Sequence, residues 1–149
     1  MPDFSTTAAL SAAKAGQLEP WLYAYLQGGA WANPGLLEGL QKQPRWWLGP
    51  LEVTLDRLSR CCGPEPSMEY WVPAEAWDKK VTRLAAGLTD PTALPPLIVE
   101  YDNATLSIRD GNHRHEAMRR RGWRTGWVVI WHNSWEEWQE SWRRWMWRN

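Results

Sequence analysis

The sequence is poor in the features that mark several specialised classes of protein. Its two cysteines, Cys61 and Cys62, are adjacent, and neighbouring cysteines cannot easily reach the separation that a disulfide requires. No apolar run approaches the ~20 residues of a membrane span, and no basic segment precedes an apolar one at the N-terminus. These absences predict a protein of a reducing, cytoplasmic compartment with neither a membrane segment nor a signal peptide.

A net charge of either sign is also missing, because 17 basic side chains balance 17 acidic ones. Proteins that attract nucleic acid without sequence preference normally carry a basic excess, so this balance does not favour nucleic acid as a partner. The arginines are nevertheless concentrated around one segment, at Arg109, Arg114, Arg119, Arg120, Arg121 and Arg124. We therefore expect one positive face.

Tryptophan is abundant instead, with 14 residues against a single phenylalanine. Five recur at helical spacing near the C-terminus: Trp131, Trp135, Trp138, Trp142 and Trp145. Because Ser134 and Glu137 form a capping-box pattern, we expect a helix from Trp135 to about Arg148. This tryptophan stripe is interpreted as docking on the body of the protein or on a second copy, which would make a homo-oligomer. A stacking platform for nucleic-acid bases is the alternative.

The composition divides the chain into three parts and predicts an α+β fold. Residues 1–45 predict short helices that cover a sheet or form a partner surface. Residues 46–133 predict a small sheet packed with helices, including a strand near residues 51–55, a proline-rich loop, a helix over 74–88, a hairpin, a second helix and a last strand. Residues 134–149 form the tryptophan-rich amphipathic helix.

The motif Asp110-Gly111-Asn112-His113-Arg114 follows the hairpin and precedes the helix that ends near Gly122. The first turn of a helix has unpaired backbone N–H groups and a positive dipole end, which attract phosphate. Gly111 allows a ligand close to the backbone, while Asn112, His113 and Arg114 add donors. The alternative is that Gly111 only serves a turn and Arg114 pairs with a surface carboxylate such as Glu116.

This motif and its flanking segments, from Pro95-Pro96 through Gly122-Trp123 to the strand at Val128, resemble the ParB/sulfiredoxin superfamily. The resemblance covers roughly residues 51–131 and implies a nucleotide (ATP, ADP or CTP) held at the strand-to-helix turn by residues 111–114. The free serine kinases of that superfamily are closest, since their Asp-Gly-His-His-Arg motif differs from this one at Asn112. The likeness implies phosphoryl transfer or nucleotide hydrolysis, with a small hydroxyl compound as acceptor.

For such chemistry Asp110 is the predicted Mg²⁺ ligand, although it also suits a helix cap. The catalytic glutamate of the kinases maps onto the loop that contains Glu65 and Glu69, so either is a candidate base, with His113 beside the phosphates. Sulfiredoxin has its nucleophilic cysteine where this chain has Asn112, which disfavours sulfinic-acid repair unless Cys61 or Cys62 substitutes. These cysteines with His113 or His132 would be an unusual zinc site.

Three hypotheses follow from these observations. The first is a stand-alone, Mg²⁺-dependent kinase or nucleoside triphosphatase. The second is a non-catalytic nucleotide-sensing or DNA-associated module, because ParB proteins bind CTP through a related box; the segment after residue 133 is too short for their helix-turn-helix domain. The third is a fold retained for interactions without any nucleotide.

Overall fold

Residues 3–146 are described by the computed structural model and form an α+β fold, as predicted. This part of the chain contains six α-helices, namely α1 (Thr6–Lys14), α2 (Leu18–Gln27), α3 (Pro34–Leu40), α4 (Ala74–Gly87), α5 (Asn112–Arg120) and α6 (Trp135–Trp145). It contains seven strands, namely β1 (Trp46–Thr54), β2 (Leu58–Arg60), β3 (Cys62–Gly63), β4 (Tyr70–Trp71), β5 (Leu97–Asp102), β6 (Thr105–Asp110) and β7 (Thr125–His132).

The main sheet is mixed and has five strands in the order β1-β7-β5-β6-β2. Strand β7 pairs antiparallel with β1 and parallel with β5, and β6 pairs antiparallel with β5 and parallel with β2. Strands β3 and β4 form a separate parallel pair. The motif therefore begins with the last residue of β6, next to the edge strand β2.

Helices cover both faces of the sheet. Alternate residues of a strand point to opposite faces, so the inner strands β5 and β7 are apolar on both. Leu97 and Val99 pack with α4, α5 and α6, whereas Ile98 and Val129 pack with α1, α2 and α3. The predicted N-terminal extension is thus one of three layers, and β1 begins at the predicted boundary between residues 45 and 46.

Two segments differ from the sequence-based expectation. Strand β1 starts at Trp46, although the sequence pattern predicted a start near residue 51. The prediction missed the first part of the strand because Gly49-Pro50 interrupts the alternation of polar and apolar residues, where the register shifts between Leu48 and Leu51. The proline-rich loop contains the short β3–β4 pair, and the three residues of β2 join the sheet beside β6. Such short strands carry too little pattern to be recognised in the sequence.

The C-terminal helix has the predicted cap, since the Ser134 hydroxyl accepts a hydrogen bond from the backbone N–H of Glu137 at 3.1 Å. Arg148 lies outside the described residues. Trp138 and Trp145 pack against the core, whereas Trp135 is 47% exposed and Trp142 is 37% exposed. The stripe therefore docks partly on the body of the protein, and self-association through its exposed part stays a prediction. Among residues 3–146, no helix is long and apolar enough to cross a membrane.

Candidate functional site

A cleft of about 980 Å³ opens where β6 passes into α5, and all five motif residues line it. Much of the rest of its wall comes from three regions that are distant in sequence. These are the segment from Ala30 to Leu40, the two cysteines with Tyr70, and the α4 residues Lys80 and Leu84. The sheet residues Glu100, Arg109 and Trp131 also line the cleft, as does Arg45, which precedes β1. The N-terminal third, in which the sequence showed no chemistry, thus supplies much of the wall.

Gly111 precedes the first turn of α5 and has φ 100°, a left-handed conformation. A Cβ atom at this position would lie 2.4 Å from Cδ2 of Leu97 and 3.0 Å from Nη2 of Arg114, so a larger residue does not fit. No side chain caps the helix, which means that the alternative role of Asp110 as its cap is wrong. The backbone N–H groups of the first turn therefore lack the acceptors that a capping side chain supplies.

Arg114 is 2% exposed, and protein atoms surround its guanidinium group. It donates hydrogen bonds to the Tyr25 hydroxyl at 3.0 Å and to the carbonyl oxygen of Pro95, and it lies 4.8 Å from the ring centroid of Trp31. Its ion-pair partner is Asp110, at 3.1 Å, and the alternative pairing with Glu116 is wrong. In this conformation Arg114 holds the start of the helix in place through contacts on its buried side.

The Asp110 carboxylate accepts three hydrogen bonds. The donors are the Tyr25 hydroxyl at 2.8 Å, the side-chain amide of Asn33 at 3.2 Å and the guanidinium of Arg114 at 3.1 Å. Both oxygens are therefore engaged, and one contacts a buried cation. A Mg²⁺ ion at Asp110 would share the carboxylate with these three donors, which leave one of its acceptor positions, so the metal role stays a prediction. Among residues 3–146, no group of three His, Cys, Asp or Glu side chains could hold a metal, which contradicts the zinc alternative.

Asn112 connects the segment that contains Cys61 and Cys62 to the motif through hydrogen bonds. Its side-chain oxygen accepts hydrogen bonds from the backbone N–H groups of Cys61 and Cys62, and its amide nitrogen donates to the carbonyl oxygen of Ile108 at 3.2 Å. Burial raises the pKa of both thiols. Neither cysteine is therefore activated as the thiolate that a nucleophile requires.

His113 lies in the cleft with its ring centroid 4.4 Å from that of Trp77. Burial, followed by the charges of Lys80 and Arg60, lowers the pKa of His113 to about 4, so its imidazole is neutral at pH 7. Lys80 is exposed, lines the cleft and forms no ion pair among the described residues. The structure thus offers Lys80 as a cation for an anionic ligand.

The predicted bases, Glu65 and Glu69, lie beside the cleft and do not line it. Glu65 pairs with Arg60 at 2.6 Å, and Glu69 pairs with Arg109 at 2.9 Å. The hydrogen bond from each arginine lowers the pKa of its carboxyl partner, which weakens both as bases. Glu69 is linked to the cleft through Arg109, which lines it.

Glu100 is a site residue that sequence reasoning missed. Its carboxylate lies in the cleft, 3.2 Å from Nε of Arg109, and burial raises its pKa. A raised pKa makes Glu100 a better proton acceptor than Glu65 or Glu69. In the sequence, Glu100 is noticeable as a charged residue within the otherwise apolar run from Leu97 to Tyr101. Its pairing with Arg109 depends on the register of β5 and β6, which the sequence pattern does not reveal.

No family model matches the chain, and no curated protein matches its sequence. Among solved structures, sulfiredoxin from Arabidopsis thaliana is similar at a TM-score of 0.39 and 20% identity, over 61% of this chain and 92% of that one. The truncated chromosome-partitioning protein ParB from Caulobacter crescentus, complexed with CTP-gamma-S, is similar at a TM-score of 0.36 and 16% identity. That match covers 68% of this chain and 54% of the ParB chain.

Proposed function

We propose that the protein binds a nucleotide in the cleft, with the phosphates at the first turn of α5. The observation that carries the proposal is that one cleft of about 980 Å³ contains an uncapped helix start, the side-chain-free Gly111 and Lys80, which forms no ion pair within residues 3–146. A volume of this size lies within the range of small-molecule sites. The CTP-gamma-S in the ParB complex agrees with this ligand class.

Some residues of the motif contact the phosphates, and others keep the turn in position. Backbone N–H groups at residues 112–114 donate to the phosphate oxygens, and Lys80 neutralises their charge. His113, neutral because of its lowered pKa, adds a hydrogen bond. Arg114, with its guanidinium bound to Asp110 and Tyr25, fixes the position of the turn.

Phosphoryl transfer or nucleotide hydrolysis is the second candidate function, and the position of Glu100 in the cleft favours it. Its carboxylate has a raised pKa and lies in the same cleft, so it can accept a proton from water or from a small hydroxyl acceptor. Glu69 is the other candidate base, through its contact with Arg109. Binding without turnover would make the protein a nucleotide-sensing module instead.

Thermal unfolding with ATP, ADP, CTP and GTP, each with and without Mg²⁺, tests the binding proposal. A bound nucleotide at a hundredfold excess over its Kd stabilises the folded state by about 2.7 kcal/mol. Lys80→Ala should reduce that stabilisation, whereas Lys79→Ala, which removes an exposed neighbour that does not line the cleft, should not. Stabilisation by no nucleotide, or equal stabilisation in both variants, would contradict the proposal.

Phosphate release with the best nucleotide, with and without small hydroxyl compounds, separates enzyme from sensor. Glu100→Gln should lower turnover with little change in nucleotide affinity, because the amide keeps the size of the side chain. Glu69→Gln tests the other base, and Glu65→Gln serves as the control that leaves turnover unchanged. Full activity in Glu100→Gln and Glu69→Gln would remove both assignments.

A further inference from the structure

One wall of the cleft belongs to the N-terminal extension. The loop between α2 and α3 contributes Trp31, and α3 contributes one face that includes Gly35, Leu36 and Gly39. These residues lie outside the segment that carries the motif and its resemblance. The wall is mainly apolar, with Asn33 and Arg45 as its polar members, and the start of α5 and Lys80 line the same cleft.

The same contacts that hold the motif also hold this wall in place. The Asn33 side chain donates to Asp110 at 3.2 Å and caps α3 by accepting from the backbone N–H of Leu36 at 3.3 Å. The Trp31 ring lies over the Arg114 guanidinium at 4.8 Å. The ring is therefore fixed beside the phosphate-binding turn before any ligand arrives.

Two of the α3 residues that line the cleft, Gly35 and Gly39, have no side chain. A Cβ atom at Gly35 or Gly39 would meet no other atom within 4 Å, so packing does not require glycine at either position. Glycine is the least favourable residue in a helix after proline. Two glycines in a helix of seven residues therefore leave a flat surface beside Trp31 and Leu36.

We propose that Trp31, Leu36 and the glycine face of α3 bind the planar base of the nucleotide. This inference rests on the proposed function and narrows it, because the cleft joins an apolar wall to an anion-binding turn. A ligand that uses both ends carries a flat aromatic ring and a phosphate group. Inorganic phosphates and sugar phosphates use only the end at Lys80 and α5.

Calorimetric titration compares the best nucleotide with tripolyphosphate, which has the phosphates and no ring. The wild-type protein should bind the nucleotide at least tenfold more tightly. Gly39→Leu places a side chain on the flat face and should lower nucleotide affinity about tenfold, with tripolyphosphate affinity unchanged. Glu38→Leu is the matched control, because it places the same side chain at the neighbouring exposed position of α3, which does not line the cleft, and should affect both ligands little.

Proton NMR of the bound nucleotide provides a second measurement. Stacking on Trp31 should shift the resonances of the base upfield, and Trp31→Leu should abolish the shift while Trp31→Phe retains part of it. Binding of tripolyphosphate as tight as that of the nucleotide, or unchanged nucleotide binding in Gly39→Leu, would overturn the base subsite alone. If neither ligand binds the wild-type protein, the proposed function fails together with the subsite.

Discussion

The backbone N–H of Cys61 donates a hydrogen bond to the side-chain oxygen of Asn112 at 2.9 Å. The same oxygen accepts a second bond from Cys62 at 3.3 Å, and the amide nitrogen donates to Ile108. Asn112 is 6% exposed, so these bonds are made away from solvent. The position at which the motif departs from that of the free serine kinases therefore joins three segments of this fold.

Replacing Asn112 by alanine should lower the free energy of unfolding by about 3 kcal/mol, because buried N–H and carbonyl groups would lose their partners. Urea denaturation measures the loss. The exposed amide of Gln27 provides the control, and Gln27→Ala should change stability by less than about 0.5 kcal/mol. Similar stability of the two variants would show that the Asn112 bonds do not support the fold.

Arg114→Gln should destabilise the protein by about 3–5 kcal/mol, because it leaves the largely buried carboxylate of Asp110 without its cation. Arg119→Gln is the matched control on the same helix, since its exposed pairing with Glu116 should contribute less than about 1 kcal/mol. A double variant with Asp110→Asn measures the coupling by equilibrium unfolding. Additive losses would contradict a direct interaction between Arg114 and Asp110.

Stability should fall as the pH decreases from about 6.5 toward 4, partly through His113. The pKa of His113 is lowered from 6.5 to about 4 in the folded protein, so in this interval the unfolded chain binds a proton that the folded chain does not. His113→Gln should reduce the dependence. Removing the charge of Lys80 by Lys80→Ala should raise the pKa of His113, which NMR titration of the imidazole measures; an unchanged pKa would contradict their electrostatic contact.

Two neighbouring members of the tryptophan stripe, Trp135 and Trp138, should differ in their effect on stability. Trp138 packs against the core and donates to the carbonyl oxygen of Trp47 at 2.9 Å, so Trp138→Ala should cost about 3 kcal/mol. Trp135 is 47% exposed and stacks on Trp138, so Trp135→Ala should cost about 1 kcal/mol. Equal losses in urea denaturation would contradict this division.

The sequence predicted the elements that depend on local pattern. The hairpin, the cap at Ser134 and the strand-to-helix turn at Gly111 each depend on a few residues that are close together in the sequence. Elements that depend on distant pairing were missed, such as β2, whose three residues acquire their role from β6. The site follows the same rule: the motif residues were found, whereas Glu100 and Trp31 enter the cleft only through the sheet and the α2–α3 loop.

The two-sided cover of the sheet has a consequence for any shortened version of the protein. A chain that starts at Trp46 would still contain the motif, yet it would expose Ile98, Val129 and Trp131 to water. It would also lose Tyr25 and Asn33 as donors to Asp110. We expect such a fragment to aggregate when it is expressed, so the first 45 residues have to accompany the motif wherever it is transplanted.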